Sequence, residues 1–195
     1  MPKHQIKRLI LRWRLARARD LRLMVGAGMS RQIGWISTNI NSLNLLDEAD
    51  WRTIFAEGSI AAILAEHVWE HLRPADGLEA ARRCRRYLHL GGHLRIAVPD
   101  GLHPDPDYIA AVRPGGSGAG AADHKVLYTY RTLGALLEQA GFTVRPLEYF
   151  DAAGSFQSSE WSPADGMVLR SRHFDPRNGG GRLVYTSLIM DGVRP

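Results

Sequence analysis

The chain is expected to fold as a doubly wound α/β layer sandwich, a mostly parallel sheet with an antiparallel last strand. Three observations predict it. Uniformly apolar runs of strand length, "LRLMV", "SIAAILA" and "HLRIAV", alternate with helical segments, as strands covered on both faces do. Glycines punctuate the junctions, at Gly26 and Gly28, at Gly91 and Gly92, and at Gly141. The last two strand-like runs, "TVRPLEYFD" and "GRLVYTSLIMDG", have no full helix between them, so they should pair antiparallel at one edge.

The elements follow in order. In "KHQIKRLILRWRLARAR", residues 3–19, Ile6, Leu9, Ile10, Trp13 and Ala16 recur at helical spacing. Residues 1–20 therefore read as a basic amphipathic helix ahead of a single domain over 21–195. Its arginine face is expected to be solvated, with peripheral membrane contact the alternative. "LRLMVGAGMS" is a strand closed by a glycine turn, and "GWISTNIN" alternates as a second strand with Trp35, Ser37 and Asn39 on one side. "SIAAILAEH" is a buried strand. "RPADGLEAARRCRRYLHLGG" is a helix with Leu78, Ala81, Cys84 or Arg85, and Leu88 along one face, stopped by Gly91 and Gly92. "HLRIAVPDG" is a further strand. The Gly- and Pro-rich stretch after it is a long loop, a place where function often resides. "TYRTLGALLEQAGF" is an amphipathic helix with Leu133, Leu136, Leu137 and Ala140 inward and Gly141 at its end.

Composition narrows the class. A chain of 195 residues suits one domain, and 45% hydrophobic with 23% charged residues excludes a disordered or coiled-coil chain. No apolar run reaches the roughly 20 residues of a membrane span, and the start lacks the apolar core of a signal peptide, so a cytoplasmic location is expected. The net charge of +5 comes from arginines spread along the chain without an aromatic-basic platform, so nucleic acid is not the expected partner. Cys84, the lone cysteine, falls among helical residues and reads as a buried thiol rather than a nucleophile. Nothing in the sequence specifies an oligomeric state.

The stretch "ILAEHVWEHLRPADG" contains His67, Glu70 and His71 as H-x-x-E-H, a zinc-peptidase motif when it lies within a helix. Here it straddles a strand end and a helix start. A zinc-dependent hydrolase is accordingly the least favoured of three readings, and no metal ligands are assigned. Glu70 and His71 are expected to hydrogen-bond locally around the helix start.

Taken in order, "LMVGAGMSRQIGWISTNIN", "AILAEHVWEHL", "YLHLGGHLRIAVPDG" and "DHKVLYTYRTLGALLEQAGF" resemble the class I S-adenosylmethionine-dependent methyltransferases. The likeness is nearest to a small bacterial branch and covers about residues 21 to 150. It implies a Rossmann-like methyltransferase fold, with S-adenosylmethionine as cofactor. By that resemblance Gly26, Ala27 and Gly28 pass under the methionine part of the cofactor. Asn39 stands where the family usually has an acid that binds the ribose hydroxyls, and Met24 replaces a polar residue often found before the first glycine. Asn44, Leu45, Leu46 and Asp47 would neighbour the adenine at the end of a short third strand. Ala65, Glu66 and His67 would lie beside the sulfonium.

The resemblance implies methyl transfer to a small-molecule or glycan-like acceptor, at oxygen or nitrogen. Removal of the acceptor proton suits histidine. His124 and His103 lie on the long loop, with Asp100 and Asp123 placed to orient them. Tyr128 and Tyr130 either line the acceptor pocket or pack the next helix. The last connection carries Trp161, Arg170, Arg172, His173 and Asp175, and its arginines would favour an anionic group. The alternative to an enzyme is a methyltransferase-fold binding or scaffold protein, suggested by Met24 and Asn39.

Overall fold

The computed structural model describes residues 15, 20–180 and 183–195. The expected helix over residues 1–20 therefore lies outside the described residues, apart from Leu15, which is buried, and Asp20. The chain runs β1 (Leu21–Val25), β2 (Ile36–Ser37), α1 (Glu48–Ile54), β3 (Ile60–Glu66), α2 (Pro74–Tyr87) and β4 (Leu88–Val98). It continues through α3 (Pro106–Val112), α4 (Tyr130–Gln139), β5 (Thr143–Phe150), β6 (Phe156–Ser158) and β7 (Leu188–Val193). The strands form one sheet in the order β2-β1-β3-β4-β7-β5-β6. The first four are mutually parallel, and β7 runs antiparallel to both β4 and β5.

Alternation along each strand divides the core in two. Leu21, Leu23 and Val25 of β1, Ile63 and Ala65 of β3, Leu94, Ile96 and Val98 of β4 and Leu188 and Met190 of β7 face one side. There they meet Trp51, Ala81, Cys84, Leu133 and Leu137 from α1, α2 and α4. Met24, Leu64, Ala97, Leu147 and Ile189 face the other side and meet Val168, Trp35 and Trp161. That second face is covered by an irregular strap, residues 159–180 and 183–187. Buried charge fastens it: Arg95 pairs with Asp191 through two hydrogen bonds of 2.8 Å and donates to the Ser162 and Gly166 carbonyls. Glu148 accepts from the Trp161 indole, the Arg172 amide and the Thr186 hydroxyl.

Four expectations are corrected. The final antiparallel pair is not at the edge, because β7 inserts between β4 and β5 and leaves β6 outermost. The second strand is only Ile36–Ser37, since Thr38 and Asn39 turn back onto the Met24–Gly28 segment. No third strand ends near residue 47: Asn44 accepts from the Leu46 amide and Asp47 caps α1 by accepting from the Ala49 amide. Finally, Gly91 and Gly92 do not stop a helix. α2 ends at Tyr87, and Leu88 enters β4 directly. Gly92 is needed inside the strand because a Cβ there would stand 2.9 Å from the Ala61 carbonyl of the neighbouring strand.

Candidate functional site

The first parallel strands all deliver their carboxyl ends to one edge of the sheet. Between β1 and β3 the strand order reverses, the place where open α/β sheets bind ligands. A cleft of about 570 Å³ opens there, lined by Met24 to Ser30, Leu64, Glu66, His67, Leu169 and Arg170. Its floor is the turn after β1. Gly26 and Gly28 have φ of 60° and 56°, a region that costs a side-chain-bearing residue about 1–3 kcal/mol. At Gly26 a Cβ would also come within 2.5 Å of Val68. At Gly28 the space beyond is open, which leaves backbone bare toward the cleft.

Asn39 does not line this cleft. Its Oδ1 accepts from the Gly28 amide at 2.7 Å and its Nδ2 donates to the Gly28 carbonyl at 3.1 Å. Only an amide can make both bonds, because a carboxylate has no donor. Asn39 therefore shapes the glycine turn instead of presenting an acid. Asn44, Leu45, Leu46 and Asp47 likewise stay outside the cleft lining, in the turn and cap before α1. Ala65 is core, paired between Val25 and Ile96. Glu66 does line the cleft, and its carboxylate is held by the Leu169 and Arg170 amides at 3.2 and 2.7 Å, which ties the strap to the cleft wall.

His67 carries a positive φ of 54°, a strained conformation for a non-glycine residue. Three bonds hold it there. Its amide donates to the Ala97 carbonyl, its Nδ1 donates to Glu70 at 2.8 Å, and its Nε2 lies 3.2 Å from the Ser187 hydroxyl. On its far side lies a second cleft, of about 660 Å³, which also includes Glu70, His71, Tyr108, His124, Arg177 and Tyr185. His67 and Arg170 line both clefts.

Within the second cleft His124 is buried, and its Nδ1 donates to the Val112 carbonyl at 2.7 Å, leaving a lone pair on Nε2. The edge of the His71 ring stands against it, with centroids 4.9 Å apart. His71 Nδ1 is 3.3 Å from Asp123, so Asp123 orients His71, not His124. His103 and Asp100 fall outside both clefts. His103 stacks on Tyr108 at 4.0 Å and against Phe150, and burial lowers its pKa below the usual histidine value. Both Asp100 oxygens accept backbone amides, from Leu102 and Phe150, so this acid braces the start of the long loop. Tyr128 and Tyr130 pack with the helical core. Trp161 and Arg172 hold the strap to the sheet, Asp175 pairs with Arg177, and His173 is exposed. The zinc-peptidase geometry is absent, because His67 lies in the bend just after β3 while Glu70 and His71 belong to a single 3₁₀ turn, Trp69–His71.

Sequence reasoning did not single out Ser187, Tyr108, Tyr185 or Arg177. Arg177 lies in the polar connection, whose arginines were expected to favour an anionic group, whereas Tyr185 and Ser187 fall in "GRLVYTSLIMDG", read as a strand; the strand begins only at Leu188, and residues 183–187 belong to the strap instead.

No family model matches the chain, and no curated protein matches it. Solved structures do match. A possible histamine N-methyltransferase from Thermotoga maritima, described as S-adenosylmethionine-dependent, superposes with a TM-score of 0.55 at 12% identity, over 98% of this chain and 91% of that one. An S-adenosylmethionine-dependent methyltransferase from Mesorhizobium loti gives 0.51 at 12% identity, over 95% and 85%. Their shared architecture, read with the reversed β7 and the glycine turn after β1, gives this chain the fold of the class I S-adenosylmethionine-dependent methyltransferases.

Proposed function

We infer that the protein transfers a methyl group from S-adenosylmethionine to a small-molecule or glycan-like acceptor, at oxygen or nitrogen. The observation that carries this is the meeting of two clefts at His67 and Arg170. Displacement at a methyl group needs donor and acceptor side by side and in line, which is a positioning problem before it is a chemical one. The 570 Å³ cleft fits the donor: its volume lies in the range of small-molecule sites, and the bare backbone at Gly28 admits a ligand where any side chain would intrude. Bound there, S-adenosylmethionine supplies an electrophilic methyl group. Gly26, Ala27, Gly28, Glu66 and His67 would hold it.

The second cleft serves the acceptor. Its depth and mixed lining suit a small molecule. The Arg170 side chain makes no hydrogen bond among the described residues and stands beside both clefts, so it favours an acceptor with an anionic group. His124 offers the lone pair that assists loss of the acceptor proton. A binding protein on the same fold is the second reading, and Asn39 favours it, since its amide faces Gly28 rather than a ribose.

Release of S-adenosylhomocysteine, measured with hydroxyl and amine acceptors bearing carboxylate or phosphate groups, tests the proposal. His124→Ala should slow turnover by roughly 100-fold or more while leaving cofactor affinity nearly intact. Equal loss of cofactor binding would make His124 structural. No turnover with any acceptor, in a protein that binds the cofactor, would favour the binding-protein reading.

A further inference from the structure

Glu70 is 1% exposed, and while its Oε1 accepts from His67, its Oε2 has no hydrogen-bond partner. A buried, unpaired carboxylate oxygen is costly and calls for a counterpart. Next to it stand His71 and His124, and one ligand atom from each of the three residues lies within 4.8 Å of the others. Glu70, His71 and His124 all line the acceptor cleft.

Both histidines are set up in the same way. His71 directs Nδ1 to the Asp123 carboxylate, and His124 directs Nδ1 to the Val112 carbonyl. Metal-bound histidines are held like this, one ring nitrogen on a carboxylate or carbonyl and the other, here Nε2, left as the ligand. Glu70 is oriented too, by His67 through the other carboxylate oxygen. Two imidazoles and one carboxylate make a donor set suited to zinc and its neighbours, with a position left open for a further ligand.

We propose that Glu70, His71 and His124 bind one divalent transition-metal ion at the wall of the acceptor cleft. The ligand set differs from the peptidase reading of the H-x-x-E-H run: His67 orients Glu70, and His124 arrives from the long loop to complete the three. The loop is pinned for this, because the Lys125 and Val126 amides donate to the Glu70 carbonyl. Coordination stands independently of methyl transfer; only the role of the ion rests on that reading. In that role the open position would take the acceptor oxygen or nitrogen and the ion would lower its pKa so that the proton passes to water, the His124 lone pair then serving the ion instead of the proton.

The test is titration of chelator-treated full-length protein with Zn²⁺, with Co²⁺ as a visible-absorption probe. The expected result is one ion per chain, and d–d bands of a low-coordinate Co²⁺ site. Glu70→Gln, His71→Ala and His124→Ala should each weaken binding at least ~10-fold, while His173→Ala on the exposed strap binds like wild type. Glu70→Gln keeps the shape of the side chain, and an unchanged circular dichroism spectrum separates lost ligation from lost folding. The proposal is overturned if the folded chain binds no stoichiometric ion, or if the three variants bind as wild type does. S-adenosylhomocysteine titrated into the same samples separates the two ideas. Metal without cofactor binding would sink the methyl-transfer reading alone, and cofactor without metal would sink this one alone.

Discussion

Asn39 shows how one residue can depart from a family's pattern for a reason of geometry. The resemblance placed an acid-like contact to ribose there, but the amide closes a reciprocal pair on Gly28 and so fixes the φ of 56° on which the bare turn depends. Asn39→Asp removes the donor to the Gly28 carbonyl and sets two acceptors face to face. It should weaken cofactor binding about 10-fold by calorimetry, roughly the loss of one hydrogen bond; an unchanged affinity would mean the turn holds itself. Gly28→Val is more severe, because a β-branched residue combines a strained φ with bulk inside the cleft, and binding should be abolished. Cys84 belongs to the same scale. Burial pushes its thiol up to about 12, so the native protein should not react with a thiol reagent at pH 8, whereas the unfolded chain should react fully. Reaction of the folded protein would contradict its place in the core. Its inert character was legible from the helical residues around it. The burial of Glu70 was not, since spacing alone cannot tell a carboxylate at a helix start in water from one sealed under a loop.

The strap is the element in which sequence reading fell furthest short. The periodic runs were legible: β1, β3 and α4 appear where the apolar pattern placed them, with Leu133, Leu136 and Leu137 buried and, in the structure, Thr129 capping α4. Residues 159–180 have no period, residues 183–187 look like the start of a strand but are not one, and long-range charge holds the strap, which no local pattern encodes. Arg95 and Asp191 lie 96 residues apart and are 2% and 5% exposed. Asp191→Asn should leave the arginine uncompensated and cost about 3–5 kcal/mol in urea unfolding. Replacing both, as Arg95→Met with Asp191→Leu, should recover much of that loss. Limited proteolysis of the single variant should cut first within residues 159–187, and a loss below about 1 kcal/mol would show that the strap does not depend on the pair. Strand boundaries misled for a related reason. Gly91 and Gly92 resemble a helix stop, yet Gly92 is required by the approach of the Ala61 carbonyl, a contact that exists only once the sheet has formed.

For the whole molecule, the alternation of buried strands and helices was sufficient to specify the class, a mostly parallel sheet with a reversed last strand, while the insertion of β7 between β4 and β5 was not legible in it. Sequence also located the edge of the sheet where the first cleft opens, because Gly26 and Gly28 close the first strand and line it. It did not reveal that two clefts meet there, as this depends on the strap folding back across β3 through Glu66. Among the described residues no helix is long and apolar enough to cross a membrane. The cleft between β1 and β3 is proposed as the cofactor site. That proposal is tested most directly by calorimetric titration of the purified chain, and of Gly28→Val, with S-adenosylhomocysteine. The account predicts one site with a Kd of ~1–100 µM, lost in the variant while the fold is retained. No binding by a well-folded wild-type chain, or equal binding by Gly28→Val, would contradict it.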